Sequence, residues 1–550
     1  MGSRLRVLLL LAVTALPAGV EAAVLVGTGF RPSLGLSVLA SAPAPYGSLH
    51  DMLWLLVYHD SWLGFVLELA AAILFRALLG TAAVTLAWPA SVSRPPVRRL
   101  LRRNLAFAVV CAAIMSPWAA VAMAAVAIAL SWFVFGELVP LLLFAPVLQR
   151  GGICPGWWRG LPPARLVALA LLNFIVFTMT GVLVWRTPGW WAVLAAAGAG
   201  AVNGGLWWYL VRTAVLAPAR LPRLPTVPIV AAVVVVAMVL IGGGAGFGGS
   251  GGRHHKSVPP PAAPETRSAV AGALHHVVLY VAGYDSAYDG QPPTDPRVAV
   301  FSYRGLDPAG NPLPYPPDAT HQALQASAAL LAQQVNRVHQ RTGKPVAIVG
   351  ISEGALVTRK YLQSSPHQNV DAAALISPVV RPGQVYYPPQ QAGHGWGLAG
   401  GWELRGVLAV IGLRHATPIS ADEPFIRSVL ADAPFFRNRM LCPVPGVRMM
   451  AFLPSADAAT IPPGAFLGIP ADNLPALHGG LVGYPAELQR LVDFLNGTNV
   501  GRAQHPYYSL VQTASGVWQA PVLALSINPV WHAANQPDAA LHGTACPNGE

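Results

Sequence analysis

The chain has little charge and almost no lysine. Only 11% of its 550 residues are charged, and its 35 basic side chains include just three lysines, Lys256, Lys344 and Lys360. Hydrophobic residues make up 54%, and the mean hydropathy of +0.49 is high for a soluble protein. This composition is typical of a chain that is partly embedded in a membrane.

The positive charge lies in the first half. Residues 1–250 contain 16 arginines and 5 acidic residues, a net charge of +11, whereas residues 251–550 contain 19 basic and 18 acidic residues, a net charge of +1. Arginines in short loops mark the cytoplasmic side of membrane proteins. We therefore interpret the excess as a topology signal and predict no nucleic-acid partner.

Cysteine is scarce, with four residues. Cys111 and Cys154 lie in or beside apolar runs and are expected to be inert. If the second half faces an oxidising compartment, Cys442 and Cys546 can form a disulfide, and two free thiols are the alternative. No histidine pair has metal-ligand spacing with nearby acids or cysteines, so no metal or other cofactor is predicted.

Long apolar runs dominate residues 1–245. Arg4 and Arg6 precede the first run, at about 7–26, which is either a signal peptide or a membrane helix; we favour a helix because more spans follow. The run at about 104–148 has 45 residues, which is long enough for two spans. We therefore predict an α-helical transmembrane bundle of about six to seven spans. The later runs lie at about 62–88, 104–148, 166–185, 190–216 and 227–241.

The loop from Arg94 to Arg103 contains five arginines and is the strongest topology marker. It predicts a cytoplasmic loop, and the crossing count then puts everything after about residue 250 outside. A Gly- and Pro-rich linker at 246–272 separates the two halves. The predicted localisation is a multi-pass cell-membrane protein with an extracytoplasmic C-terminal domain.

Two ionisable residues lie within the second apolar run. Glu68 and Arg76 are costly in lipid unless they face other helices. Eight residues apart, they share a helix face but are too distant for a direct pair. They indicate either a polar pathway or an ordinary polar contact between helices.

The sequence from Val346 to Val357 predicts a strand, a sharp turn and a helix. Four apolar β-rich residues lead into Gly-Ile-Ser-Glu-Gly, which would force Ser352 into a strained backbone conformation at the tip of a sheet. Gly350 and Gly354 remove side chains where strand and helix cross. An idle serine on a glycine-rich turn is the alternative.

With this motif in its strand–turn–helix context, the chain resembles the α/β-hydrolase superfamily over about residues 273–497. Strand-like and helical runs alternate, which predicts a mostly parallel, doubly wound sheet. By the resemblance, residues of about 383–440 form a cap insertion, and 498–550 are a C-terminal extension without an assigned role. The other strand-like runs lie at 275–282, 298–303, 372–376 and 447–453, and the helical ones at 321–340 and 485–496.

The resemblance implies a catalytic triad in the chain order Ser352, Asp457 and His478. His478 would take the serine proton, and Asp457 would hold the imidazole in the right tautomer. Asp472 is a rival for the acid, but six residues before His478 it is too close for a separate strand.

Two backbone N–H groups would form the oxyanion hole. One belongs to Glu353, and the other to Tyr284 or its neighbour Gly283 in the loop after the first strand. The Glu353 side chain either tunes the serine environment or is an exposed acid at the helix start.

These features lead to the hypothesis of a membrane-anchored extracytoplasmic serine hydrolase that acts on lipid or acyl esters. An acyltransferase, or a lipid-export protein whose membrane domain delivers substrate, is an alternative. A non-catalytic binding module with a hydrolase fold is another.

Overall fold

The N-terminal half is helical, because its apolar runs satisfy their backbone polar groups within each segment. The structure is a computed structural model that describes residues 3–127, 138–216, 225–233, 276–293, 295–380, 382–412, 420–433, 436, 441–454, 468–474, 476, 481, 485–498 and 506–521. Its N-terminal helices are α1 (Ser3–Gly27), α2 (Tyr46–Val57), α3 (Trp62–Ala87), α4 (Val97–Ala127), α5 (Val139–Leu148), α6 (Ala164–Arg186) and α7 (Trp191–Leu216).

Four helices in the described part are long and apolar enough to cross a membrane, and they indicate a membrane-embedded region. They cover 4–27, 62–87, 97–124 and 164–186. Each coincides with a run that was predicted to span. The total of six to seven spans stays a prediction, since the runs at 104–148 and 227–241 extend beyond the described residues.

α1 packs closely along α7 on a surface of small residues. A Cβ atom at Gly200 would lie 2.5 Å from the carbonyl oxygen of Thr14. Small residues allow such backbone approach between membrane helices. This packing favours the interpretation of residues 7–26 as a membrane helix.

A buried segment that the sequence analysis did not assign lies between α1 and α3. It consists of a 3₁₀ helix, Arg31–Ser41, followed by α2. Asn203 of α7 donates a hydrogen bond to the Val38 carbonyl at 2.7 Å, and the Tyr46 hydroxyl donates to the Ala170 carbonyl at 2.6 Å. The segment is therefore part of the interior of the bundle.

The C-terminal domain contains a six-stranded, all-parallel sheet in the order β2-β1-β3-β4-β5-β6. This agrees with the predicted parallel sheet, while β6 was not foreseen. The strands are β1 (Val277–Val281), β2 (Val298–Val300), β3 (Val346–Ile351), β4 (Val370–Ile376), β5 (Arg448–Pro454) and β6 (Ala471–Leu474).

Helices cover both faces of this sheet, because its strands are apolar on both sides. α8 (Leu324–Thr342) and α9 (Glu353–Ser364) pack with alternate strand residues such as Leu279 and Ile348. α12 (Pro485–Leu495) packs on the other face, with residues such as Val349.

The chain between β4 and β5 contacts the membrane helices. It forms α10 (Leu398–Gly412) and α11 (Pro424–Ala431), and α10 packs against α2, α3 and α4. His59, just before α3, accepts a hydrogen bond from the Ala399 N–H at 2.7 Å. The Gly395 N–H donates to the Asp60 carbonyl at 2.6 Å. The segment that was predicted to be a cap thus joins the two halves, and its role as a cap stays a prediction.

The C-terminal extension contacts the bundle through a tryptophan after α13 (Pro506–Gly516). Trp518 is buried and stacks on Phe174 of α6 with ring centroids 4.8 Å apart. Its Nε1 donates a hydrogen bond to Oγ1 of Thr178 at 3.0 Å.

Candidate active site

Ser352 lies on the turn between β3 and α9 with a strained backbone. Its φ of 53° and ψ of −111° are unusual for a residue with a side chain, and such strain costs ~1–3 kcal/mol unless the surroundings impose it. Its N–H donates to the carbonyl of Ile376, at the end of β4, at 2.9 Å. The predicted strand, sharp turn and helix are confirmed.

The two flanking glycines allow this turn to form. A Cβ at Gly350 would lie 2.6 Å from the Gly354 carbonyl oxygen, and a Cβ at Gly354 would overlap the Val281 carbonyl oxygen. Larger residues at either position would push α9 away from β1 and β3. The expected steric reason for the two glycines is confirmed.

The loop after β1 contacts the serine. A Cβ at Gly283 would lie 3.2 Å from the Cβ of Ser352. Glu353 is the first residue of α9, and the first N–H groups of a helix have no partner within it. The residues assigned to the oxyanion hole therefore lie on the two segments that flank Ser352.

Asp457 and His478 both lie outside the described residues. Asp472, the rival acid, lies in β6, is buried, and forms an ion pair with Arg490 of α12. The assumption that it is too close to His478 for a strand of its own is wrong, because β6 has only four residues and contains it. Its pairing with Arg490 gives it a structural role.

A cluster of ionisable side chains lies next to this turn, and sequence reasoning missed most of it. The Tyr284 hydroxyl donates to Glu423 Oε1 at 2.6 Å, and the Tyr284 ring stacks on His321 with centroids 4.5 Å apart. His321 Nδ1 lies 3.2 Å from Glu423 Oε2, and Nε2 lies 3.6 Å from Asp285 Oδ1. The cluster combines the adjacent Tyr284 and Asp285 with His321 and Glu423 from two other segments, so no spacing in the sequence links its three parts.

Glu353 is buried beside this cluster. Its exposed fraction is 2%, so the expectation of an exposed acid at the helix start is wrong. Burial raises its pKa well above the usual range, an effect that the cationic His321 reduces and Glu423 increases. Burial alone would lower the pKa of His321, but Asp285 and Glu423 raise it to about 9. At neutral pH we therefore expect Glu353 to be protonated and His321 to be cationic.

Glu353→Gln is expected to stabilise the protein above pH 4.5. The unfolded chain releases the Glu353 proton near its ordinary pKa of 4.5 and the folded chain keeps it, so stability falls as pH rises through this range. Glutamine removes that loss. In the unfolding transition of the α/β domain, we expect no change in Tm at pH 4 and a rise of ~2–4 °C at pH 8, the shift that ~1 kcal/mol gives for a domain of about 150–250 residues.

Thermal unfolding of the full-length protein tests this, with Asp318→Asn, an exposed carboxyl, as the matched control. A lower Tm for Glu353→Gln at pH 8 would mean that the folded protein needs the charge. His321 should add a pH dependence of the same sign, since its stabilising contribution is complete below about pH 6.5 and lost through about pH 9.

A second polar cluster lies inside the helical bundle. Arg76 of α3 binds both carboxylate oxygens of Asp51 of α2, at 2.5 Å each. Asp51 also contacts His50 Nδ1 at 3.0 Å, and His50 Nε2 lies 3.0 Å from Oε1 of Glu21 in α1. The partner of Arg76 is thus Asp51 and not Glu68, which is exposed. The absence of a counter-ion for Arg76 within its own apolar run is a signal that could have pointed to this segment.

Comparisons with protein-family models, curated proteins and solved structures give no match to this chain. Among the described residues, no group of three or more His, Cys, Asp or Glu side chains is arranged to hold a metal ion. The geometry around Ser352 is therefore the main indication of function.

Proposed function

We propose that this protein is a membrane-anchored serine hydrolase of the α/β-hydrolase type, which cleaves lipid or acyl esters through an acyl-Ser352 intermediate. The strained backbone of Ser352 on a glycine-flanked strand-to-helix turn carries the proposal. A turn of this kind exposes a serine hydroxyl at the carboxyl edge of a parallel sheet. Strained residues of this kind cluster at active sites.

In the proposed reaction, His478 takes the Ser352 proton and Asp457 orients the imidazole. In sequence, Asp457 follows the end of β5 by three residues and His478 follows the end of β6 by four. Parallel strands end at one edge of the sheet, the edge that carries Ser352, and this supports the assignment. The N–H of Glu353 and that of Gly283 or Tyr284 would bind the oxyanion, and each donor contributes ~3 kcal/mol.

A fluorophosphonate probe tests the proposal on the full-length protein in detergent. We expect covalent labelling of the wild type and hydrolysis of p-nitrophenyl acyl esters. Absence of both would overturn the proposal and leave a binding module with the same fold.

The positions of the contacts between the two halves support an extracytoplasmic site. α3 has 26 residues and is about 39 Å long. The C-terminal domain contacts the residues before its start, at His59 and Asp60, while the arginine-rich loop from Arg94 follows its end. α6 begins near Arg159 and Arg165, and Trp518 contacts its second half. In both helices the contact with the domain lies away from the arginine-rich end, which supports an extracytoplasmic position for the domain.

The cysteines agree with this orientation. Cys442 is disulfide-bonded, while Cys111 and Cys154 are free thiols. Cys546, its predicted partner, lies outside the described residues. Disulfides persist in oxidising compartments, so the bond supports a location outside the cytoplasm.

Cysteine labelling in intact cells tests this topology. Ala309→Cys and Ser93→Cys each place a thiol at an exposed position, one in the α/β domain and one in the loop between α3 and α4. In a background with Cys111 and Cys154 replaced by alanine, we expect a membrane-impermeant maleimide to label residue 309 at least about tenfold faster than 93. The opposite order would place the domain in the cytoplasm.

The polar cluster in the bundle favours a second candidate function, lipid delivery or export by the membrane domain. Buried ionisable residues in a membrane region commonly mark a transport path, and Glu21, His50, Asp51 and Arg76 form a continuous chain across three helices. Movement of a fluorescent acyl lipid between leaflets of reconstituted vesicles tests it. Unchanged movement in Glu21→Gln and His50→Gln would count against it.

A further inference from the structure

An apolar groove lies where α10 meets the membrane helices. Its volume is about 650 Å³, within the range of ~300–1,000 Å³ typical of small-molecule sites. Phe65, Leu69 and Ile73 of α3 line one wall, and Val109 of α4 and Val410 of α10 line the others. The groove therefore joins the membrane region to the segment that precedes β5.

The groove is open on the apolar surface of the bundle. Val109 is 48% exposed and Val410 is 44% exposed. α3 and α4 are both long and apolar enough to cross a membrane, so this open edge would contact acyl chains in a bilayer. A lipid tail can thus enter sideways from the membrane.

Polar atoms without partners lie at one part of this lining. Ser116 Oγ donates to Glu403 Oε1 at 2.5 Å, but Glu403 Oε2 is buried and has no hydrogen-bond partner in the described structure. Trp118 is only 5% exposed, and its Nε1 likewise lacks a partner there. Buried polar groups are nearly always hydrogen-bonded, so these atoms indicate a ligand with matching polar groups.

The charge of the lining restricts the ligand. Glu403 is the single ionisable residue that lines the groove in the part of the chain described, and no basic side chain accompanies it. Burial raises the pKa of Glu403, and the Ser116 hydrogen bond lowers it in part. Phosphate or carboxylate head groups would find no cation here, whereas a neutral head group with a hydroxyl would find an acceptor.

We infer that this groove binds a neutral acyl ester with a free hydroxyl, of the monoacylglycerol class, which enters from the bilayer. The acyl chain lies between α3, α4 and α10, the hydroxyl donates to Glu403 Oε2, and the Trp118 N–H donates to the ester carbonyl. That this ligand is the substrate of Ser352 rests on the proposed function; the binding itself does not.

A continuous set of contacts connects the groove to the serine. Arg405, two residues after Glu403, forms an ion pair with Asp422 at 2.6 Å. The next residue, Glu423, accepts the hydrogen bond from Tyr284, which follows the glycine that packs on Ser352. α10 thus contributes to the groove and is joined to the loop beside the Ser352 turn.

Photo-crosslinking tests the inference on the full-length protein in phosphatidylcholine vesicles. The probe is a monoacylglycerol with a diazirine in its acyl chain, and peptide mapping locates the adduct. Gly406→Phe fills the groove, because a Cβ at Gly406 meets no atom within 4 Å. Gly205→Phe, at an exposed glycine of α7 with equal space, is the matched control.

We expect saturable capture on α3, α4 or α10, unchanged in Gly205→Phe and about tenfold weaker in Gly406→Phe. Trp118→Phe should weaken capture about fivefold, the equivalent of one hydrogen bond. Capture that a diazirine phosphatidylcholine matches, or that Gly406→Phe leaves unchanged, would overturn the inference. Fluorophosphonate labelling reports separately on the proposed function, and Ser352→Ala should lose labelling while it retains capture.

Discussion

Ser352→Ala is expected to abolish fluorophosphonate labelling and to lower ester hydrolysis by a factor on the order of 10⁶, the loss typical of removing a serine nucleophile. The alanine lacks the hydroxyl that would form the acyl-enzyme, while it occupies the same strained backbone position. Labelling and steady-state hydrolysis of the purified full-length protein measure the effect. Thermal unfolding of the same samples should show that the variant is folded.

Ser377 provides a matched control at the same edge of the sheet. It follows β4, the strand next to β3, and has a similarly strained φ of 49°. Ser377→Ala should retain full labelling. If Ser352→Ala retained labelling and Ser377→Ala lost it, the nucleophile would lie one strand away from the proposed position.

Arg76→Met is expected to lower the free energy of unfolding by about 3–5 kcal/mol, the usual cost of breaking a buried ion pair. The substitution removes the guanidinium that contacts the Asp51 carboxylate through two hydrogen bonds of 2.5 Å, and leaves the carboxylate with the His50 contact at 3.0 Å. Denaturation of the purified protein in mixed micelles measures the loss.

A double variant distinguishes the loss of the Arg76–Asp51 ion pair from the cost of leaving one charge unpaired. Asp51→Asn/Arg76→Met removes both charges and should recover most of the lost stability, because no unpaired charge remains buried. Glu68→Gln, at an exposed carboxyl on the same helix, should change stability by less than about 0.5 kcal/mol. A double variant as unstable as Arg76→Met would show that Asp51 is not the group that Arg76 neutralises.

Local patterns predicted the strands and the serine turn well. β3, the turn at Ser352 and α9 follow from a short run of apolar residues with glycines at two positions, and neighbours along the chain decide such a turn. β6 was missed because it has four residues and contains an aspartate and an asparagine. Its place in the sheet depends on pairing with β5, which no local pattern shows.

The ionisable clusters could not be predicted in the same way. An exposed position was one of two alternatives for Glu353 because it starts a helix, yet α9 begins at the carboxyl edge of the sheet, where Glu353 is buried and interacts with His321 and Glu423. The pKa values in this cluster depend on burial and on residues far away in sequence. Sequence spacing alone predicts neither the burial of a residue nor its distant neighbours.

Composition and local periodicity were enough to predict the two-part organisation, the excess of arginine in the first half of the chain and the position of the strained serine, since these signals act over short distances. Tertiary structure decided which groups pair with Arg76, which residues enclose Glu353, and how α10 joins the α/β domain to the membrane helices. Those contacts connect segments separated by tens to hundreds of residues, and they stabilise the protein only once folding has brought these segments together.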